Sequence, residues 1–320
     1  MLLEHGPLIE LFLNAVIAGV MTGALFGLMC AGVGLIYGVM GVVNFAQGEF
    51  MMLGMYLTLF ATGAFTQSLL GPIVGPFVAA ILAGPVIFAA GWLTHLVLLR
   101  PVTGVRGASV EAAGHYAQLI LTLGLSLIIA NGGLILFGSS PQAVRTPLTS
   151  SAFQFEPFAD GDVILFVNQN RLVVTLLAML IAGALWLFVH FTRAGRAMRA
   201  AADNPDAATY VGIDVDAAHR LSFGIGVGAT AIAGGMLATS FSFQPYVGAE
   251  FVIIMYAGVV LGGVGSILGA FWGGMVIGMV QQLSALFLDL QLQNTAIFVV
   301  FLLVLLFRPQ GLFGKSAERT

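Results

Sequence analysis

Long, unbroken apolar runs are the feature that most restricts what this chain can fold into. A helix needs about 20 apolar residues to cross the hydrocarbon core of a bilayer. Runs of that kind occur at 9–36, 50–68, 77–99, 117–137, 172–191, 221–243, 250–287 and 292–307. In hydrocarbon every backbone N–H and C=O needs a partner within the protein, so spans are helices or closed barrels. Barrel strands alternate apolar and polar residues over segments of about ten. The runs here are continuous, which selects helices. Composition agrees: 59% of residues are hydrophobic and only 8% charged, against about 25% charged in soluble domains. No soluble interior could hide so much apolar side chain. The expected fold class is therefore an all-α integral membrane protein, a polytopic bundle of about eight to ten transmembrane segments, some short or broken, forming one transmembrane domain over 1–320. The first run is long enough for a span plus a half-helix. The run 250–287 is long enough for two short spans, with a break near Gly262, Gly263 and Gly265.

Basic residues cluster on the cytoplasmic side of membrane proteins. Arg100 and Arg106, the loop 192–220 with Arg193, Arg196, Arg199 and Arg220, and the tail with Arg308, Lys315 and Arg319 are therefore placed in the cytoplasm. The loop 138–171 sets Arg145 and Arg171 against Glu156, Asp160 and Asp162 and is placed outside, as is the N-terminus with Glu4 and Glu10. Those first residues lack the positive region of a cleaved signal peptide, so the first span is expected to remain.

Several function classes lose support. A net charge of −3 gives no footprint for nucleic acid. Cys30 is the only cysteine, which leaves neither an internal disulfide nor a cysteine metal site. The histidines at 5, 95, 115, 190 and 219 have no ligand spacing. Gly314-Lys315-Ser316 resembles the end of a phosphate-binding loop, but Pro309 stands where that loop needs glycine. No catalytic constellation stands out, and neither an enzyme activity nor a cofactor or metal is expected.

The candidate chemistry lies in polar interruptions of apolar sequence. Asn44, Gln47 and Glu49 precede one apolar run, Gln244 and Glu250 another, and Gln281 with Gln282 interrupts the run 250–287. A carboxylate in hydrocarbon is costly unless paired, hydrated or neutral, and so is a functional candidate. Neighbouring Gly and Pro suggest broken helices, tolerated at depth only beside protein or a wet cavity. The competing reading makes both glutamates helix caps in the headgroup layer, and Gln281 and Gln282 helix–helix hydrogen bonders. Gly48-Glu49-Phe50 and Ala249-Glu250-Phe251 each open an apolar run that closes on Arg-Pro, at Arg100 and Arg308. Transporters often contain internal repeats, yet the span count puts these two glutamates on opposite faces.

The loop 192–220 carries a short helix with start and stop signals. Asn204 is a good N-cap, Pro205 suits the first helical position, Asp206 complements the N-terminal dipole and Gly212 suits the residue past the end. Ala207, Ala208, Tyr210 and Val211 lie between them. So short a helix is marginal alone and is expected to dock on something, either this protein, headgroups or a partner. Arg193, Arg196 and Arg199 form a basic stripe, placed on the end of the preceding span.

Four of these segments together resemble a known family. Gly38–Tyr56 (GVMGVVNFAQGEFMMLGMY), Gly195–Asp214 (GRAMRAAADNPDAATYVGID), Leu261–Gly274 (LGGVGSILGAFWGG) and Phe307–Phe313 (FRPQGLF) look like LivH-type permeases in order and spacing over nearly the whole chain. Those are membrane subunits of bacterial ABC importers for branched-chain amino acids in the inner membrane. The resemblance implies a second permease subunit of the same family, two cytoplasmic ABC ATPase subunits that dock on the 204–212 helix, and a periplasmic amino-acid-binding protein. Related permeases carry urea, short amides or other small solutes, so the resemblance leaves the solute open. A stand-alone channel or secondary carrier is the competing class, and it would need no docking helix.

Overall fold

The computed structural model describes residues 6–66, 71–103, 108–156, 164–289, 292–308 and 310–314. The expectations for Glu4, His5, Arg106, Asp160, Asp162, Lys315 and Arg319 lie outside them.

Helix α1 (Gly6–Met40) is continuous over 35 residues, with no proline after its first turn to break it. Gly41, at φ +68°, ends it. The expected half-helix inside 9–36 is absent, because that stretch contains no residue that interrupts the hydrogen-bond ladder. From Met21 to Ile36 α1 is buried on all sides and forms the axis of the bundle. There follow α2 (Gln47–Thr66), α3 (Gly71–Thr94), a π-helical turn (His95–Leu99), α4 (Arg100–Thr103) and α5 (Ala108–Phe137). A hairpin of β1 (Ala152–Phe155) and β2 (Leu165–Asn168) pairs antiparallel, with Phe153 opposite Val167. Asn14 holds it beside the start of α1: its side chain accepts from Phe166 N at 2.9 Å and donates to the Ile164 carbonyl at 3.2 Å.

Next come α6 (Gln169–Phe191), α7 (Arg193–Asp203), α8 (Pro205–Tyr210), α9 (Val215–Leu237), α10 (Val247–Gly262), α11 (Ile267–Ser284) and α12 (Gln293–Phe307). Among the described residues seven helices are long and apolar enough to cross a membrane; α10 and α12 are shorter apolar helices. The break expected within 250–287 falls at 263–266, where Gly263 and Gly265 take positive φ and Ser266 caps α11. Outward-facing Ile128, Ile135, Leu136, Leu306 and Phe307 are well exposed, a surface suited to lipid.

The bundle has two ends. One carries the hairpin, the start of α1 and the Gln142–Phe243 bridge. The other carries exposed Arg193, Arg196 and Arg199 and the half-exposed Arg100–Asp216 ion pair, 3.4 Å long. The three arginines lie on α7, not on the end of the preceding span. Thr192 ends α6 and caps α7 by accepting from Gly195 N at 3.0 Å, and Gly195 then packs on the Val189 backbone, too close for a side chain. α7 turns Met198 and Ala201 inward.

Two helices begin inside the bundle. After α1 the chain turns back through Gly41–Ala46 and starts α2 level with the middle of α9. The Gln47 amide donates to the Gly226 carbonyl at 3.3 Å and to Thr230 Oγ1 at 2.7 Å, and Gly226 is the central residue of the 23-residue α9. After α9 the chain turns back through Ala238–Tyr246 and starts α10 at the same place, with Gly48 and Gly248 in backbone contact. From there α2 runs along α9 toward the hairpin end, where Gly54 meets Ala231. α10 runs along α1 toward the arginine end, where Gly258 meets Cys30. α1 lies against α11 at Gly23 and Gly27, as α9 lies against α3 at Gly224 and Gly228, and α1 crosses α9 where Gly32 meets Gly226. These are two inverted units, α1–α3 and α9–α11, about one internal axis. The faint sequence echo at the two Gly/Ala-Glu-Phe triplets marks them. The two glutamates are therefore not on opposite faces; both sit in the first turns of half-helices that meet.

Candidate functional site

The meeting point of α2 and α10 concentrates polar groups in an apolar bundle. Asn44 and Gln47 are buried and bonded to each other, Asn44 Nδ2 to Gln47 Oε1 at 3.0 Å. Asn44 Oδ1 accepts from Ala46 N at 3.1 Å, which shapes the turn into α2. Tyr256 of α10 closes the turn from the other side: its hydroxyl accepts from Asn44 N at 2.6 Å and donates to the Asn44 carbonyl at 3.0 Å.

Glu49 is 2% exposed. One carboxylate oxygen accepts from Ser126 Oγ of α5 at 3.3 Å. The other, Oε2, has no hydrogen-bond partner among the described residues and lies against Gly248, in the first turn of α10. This has an electrostatic logic. The N-termini of α2 and α10 approach each other, and each is the positive end of a helix dipole. A carboxylate between them offsets that repulsion. Glu49 therefore belongs to the first turn of its own helix and also abuts that of the opposing half-helix. Only glycine at 48 and 248 permits this approach, because a Cβ on Gly248 would stand 2.6 Å from Glu49 Oε2 and 2.7 Å from the Gly48 carbonyl carbon.

Glu250 has the opposite environment. It lies two residues beyond Gly248, at similar depth, and is exposed, as is Ala249. Phe241, Ser242, Gln244 and Tyr246 continue an exposed strip from it toward the hairpin end. Gln281 does not join the site. It lies in the last turn of α11 at the hairpin end, where Gln282 reaches Thr22 at 3.5 Å. Of the six candidates, Asn44, Gln47 and Glu49 form one buried cluster, Gln244 and Glu250 lie on an exposed strip, and Gln281 stands apart.

The cluster also contains groups that sequence reading missed. Gln118, Thr122 and Ser126 occur at four-residue spacing on α5, one stripe facing the turn into α2. Thr122 accepts from Phe45 N at 3.3 Å. Gln118 is 2% exposed, and its Oε1 has no partner among the described residues. The four-residue spacing was the available signal.

The short helix has the start and stop that its residues specify. Asn204 Oδ1 accepts from Ala207 N at 2.9 Å. Gly212 takes φ +85°, and Ile213 N returns to the Ala208 carbonyl at 2.9 Å, a Schellman closure. Pro205, Asp206 and Ala207 are exposed, Tyr210 and Val211 are 88% and 75% exposed, and Ala208 turns into the protein. An exposed Tyr-Val pair on a helix held from behind is an unpartnered apolar contact surface.

A sequence model of the family described as "Branched-chain amino acid transport system / permease component" matches residues 15–307. The chain is 31% identical, over 95% of its length and 96% of theirs, to the high-affinity branched-chain amino acid transport system permease proteins LivH of Salmonella typhimurium and Escherichia coli K12. It is 30% identical, over 97% of its length and 98% of the relative's, to the permease BraD of Pseudomonas aeruginosa. No solved structure matches. The fold and these relatives together show that this chain belongs to the branched-chain amino acid transport system permease family.

Proposed function

We propose that this chain is a membrane subunit of an ATP-driven importer that moves branched-chain amino acids into the cell. The observation that carries this reading is identity of about 30% over 95% of the chain or more to permeases named for that transport. Its partners are a second permease subunit of the same family, two cytoplasmic ABC ATPase subunits and a periplasmic amino-acid-binding protein. ATP hydrolysis belongs to the ATPases. The arginine-rich end faces the cytoplasm and the hairpin end the periplasm, by the usual preference of basic residues for the cytoplasmic side.

The half-helices supply the route. Discontinuous helices at mid-depth are where transporters expose polar groups without exposing them to lipid. An exposed carboxylate at mid-depth is costly against hydrocarbon, so the Glu250 strip faces the second permease subunit, with the solute path between the two. Asn44, Gln47 and Glu49 support that path from behind. Gln281 contributes only near the periplasmic mouth. The helix 204–212 is the coupling element: Tyr210 and Val211 anchor in a groove on an ATPase, as amphipathic helices do. The basic stripe of α7 lies on anionic headgroups beside it.

Purification of the assembled complex through a tag on this chain, with mass spectrometry of its subunits and of the ligand retained by the binding protein, tests the reading. ATPases, a second permease and a branched-chain amino acid are expected. Recovery of the chain alone in a functional state, or with urea or an amide as ligand, contradicts it.

A further inference from the structure

Glu250 is the only charged residue between Ala238 and Val264. Its carboxylate has no ion-pair or hydrogen-bond partner among the described residues. It is exposed, yet it lies near mid-depth, two residues beyond the Gly48–Gly248 contact. Glu49, at the same depth, is enclosed and serves the meeting of the half-helices. Glu250 serves no contact of that kind. A bare carboxylate at that depth is costly, so its charge calls for a partner that the described residues do not supply.

The surroundings restrict that partner. Tyr246, four residues back, and Ile253, three residues on, are its neighbours on the helix surface, and they are 46% and 52% exposed. Phe241, also exposed, continues the strip toward the hairpin end. A hard metal cation such as calcium takes about six to eight oxygen ligands. Beside Glu250 the exposed surface offers a tyrosine ring and an isoleucine side chain in place of such a set. An organic ammonium group fits this surface. One carboxylate answers its charge, an aromatic face attracts a cation, and the apolar neighbours accept an aliphatic tail. A solute carboxylate would be repelled by the same group.

We propose that Glu250 engages the α-ammonium group of the transported amino acid at mid-depth, with the aliphatic side chain against Tyr246 and Ile253 and the α-carboxylate turned away from this chain. This role rests on the importer reading and names the solute group that this wall recognises. Glu250 then sets selectivity: it favours ammonium-bearing solutes and disfavours acids of the same shape.

Ile253→Cys reports on the site in the full complex in nanodiscs. The binding protein is left out, so that analogues reach the permease directly. Cys30 is fully buried and stays silent, and the partner subunits are prepared without cysteine. Leucine and isopentylamine, which is leucine without its carboxylate, should slow labelling by a small water-soluble maleimide. 4-Methylpentanoate, leucine without its ammonium group, should not. Glu250→Gln should raise the isopentylamine concentration needed for half protection about tenfold or more, the loss of a charged hydrogen bond, and Glu250→Asp should keep most of the protection. Equal protection by 4-methylpentanoate and isopentylamine overturns the proposal, as does equal protection by sodium chloride or protection undiminished in Glu250→Gln. Loss of the second permease from the purified Glu250→Gln complex also overturns it, because Glu250 would then pair with that subunit. So does failure of the Ile253→Cys complex to react, which would put the strip off the aqueous route. Leucine uptake by the unmodified complex with its binding protein is measured in parallel. Uptake without protection defeats the Glu250 site alone, while absence of uptake defeats the importer reading.

Discussion

Replacing Gly48 or Gly248 with alanine tests the contact on which the bundle's internal symmetry turns. A Cβ on Gly248 would stand 2.7 Å from the Gly48 carbonyl carbon and 2.6 Å from Glu49 Oε2. Optimal separation of carbon atoms is about 3.5–4.0 Å, so the half-helices must part by about 1 Å. A Cβ on Gly48 lands on the Gly248 carbonyl oxygen, which is backbone and cannot rotate away. Overpacking of this kind costs about 1–3 kcal/mol. Separation also draws Glu49 away from the α10 N-terminus. Gly63→Ala, in the same helix α2 but with open space around the new methyl, is the control; as a Gly-to-Ala change in a helix it should stabilise by up to about 1 kcal/mol. Thermal unfolding of the detergent-purified complex, followed by loss of the monodisperse chromatographic peak, measures both. Gly248→Ala and Gly48→Ala should each melt several degrees below wild type, with transport lost in parallel, and Gly63→Ala at or above it. If either crossing variant matches Gly63→Ala in stability and uptake, the half-helices do not meet as described.

The two glutamates should respond differently. Glu49→Gln keeps the Ser126 contact but removes the charge beside the α10 N-terminus, and should cost stability by up to about 2 kcal/mol in the same melting assay. Glu250→Gln should leave the melting midpoint unchanged and lower uptake; the reverse pattern would exchange their assigned roles. Replacing Tyr210 and Val211 with Asp should leave the permease inserted, since both side chains are exposed, but reduce ATPase co-purification and ATP-driven uptake; full ATPase occupancy with normal uptake would remove the coupling role. For orientation, a cysteine at exposed Gln154 in the hairpin should react with an impermeant reagent from outside the cell and one at exposed Ala207 only after permeabilisation; the opposite result inverts the topology.

The sequence carried the helices better than their meeting place. Apolar runs locate the spans because hydrocarbon leaves no alternative to a helix, and Asn204, Pro205 and Gly212 mark the ends of α8 because capping is local chemistry. The Gly41–Ala46 and Ala238–Tyr246 returns were not legible. A span that starts at the membrane surface and a half-helix that starts at mid-depth have the same apolar sequence beyond the first turn. Glu49 and Glu250 illustrate the consequence: each is preceded by a small residue and followed by Phe, yet one is enclosed by α5 and α10 and the other faces outward. That difference comes from partners far along the chain, Ser126 and Gly248 for Glu49. Gln281 is polar within an apolar run, as the site residues are, but its position late in α11 puts it near the hairpin end. The three-residue spacing of the arginine stripe is helical and so reads as a continuation of the preceding span; the signal for a new helix is Thr192, a capping residue at the boundary.

ATP-driven import of branched-chain amino acids is tested most directly by uptake of radiolabelled leucine into proteoliposomes. The vesicles contain this chain with its partner permease and ATPases, ATP inside and the binding protein outside. Accumulation of leucine against its gradient, competed by isoleucine and valine and abolished when ATP or the ATPases are omitted, is the predicted result. Uptake that persists without ATP, or accumulation of urea or an amide in place of leucine, would contradict it.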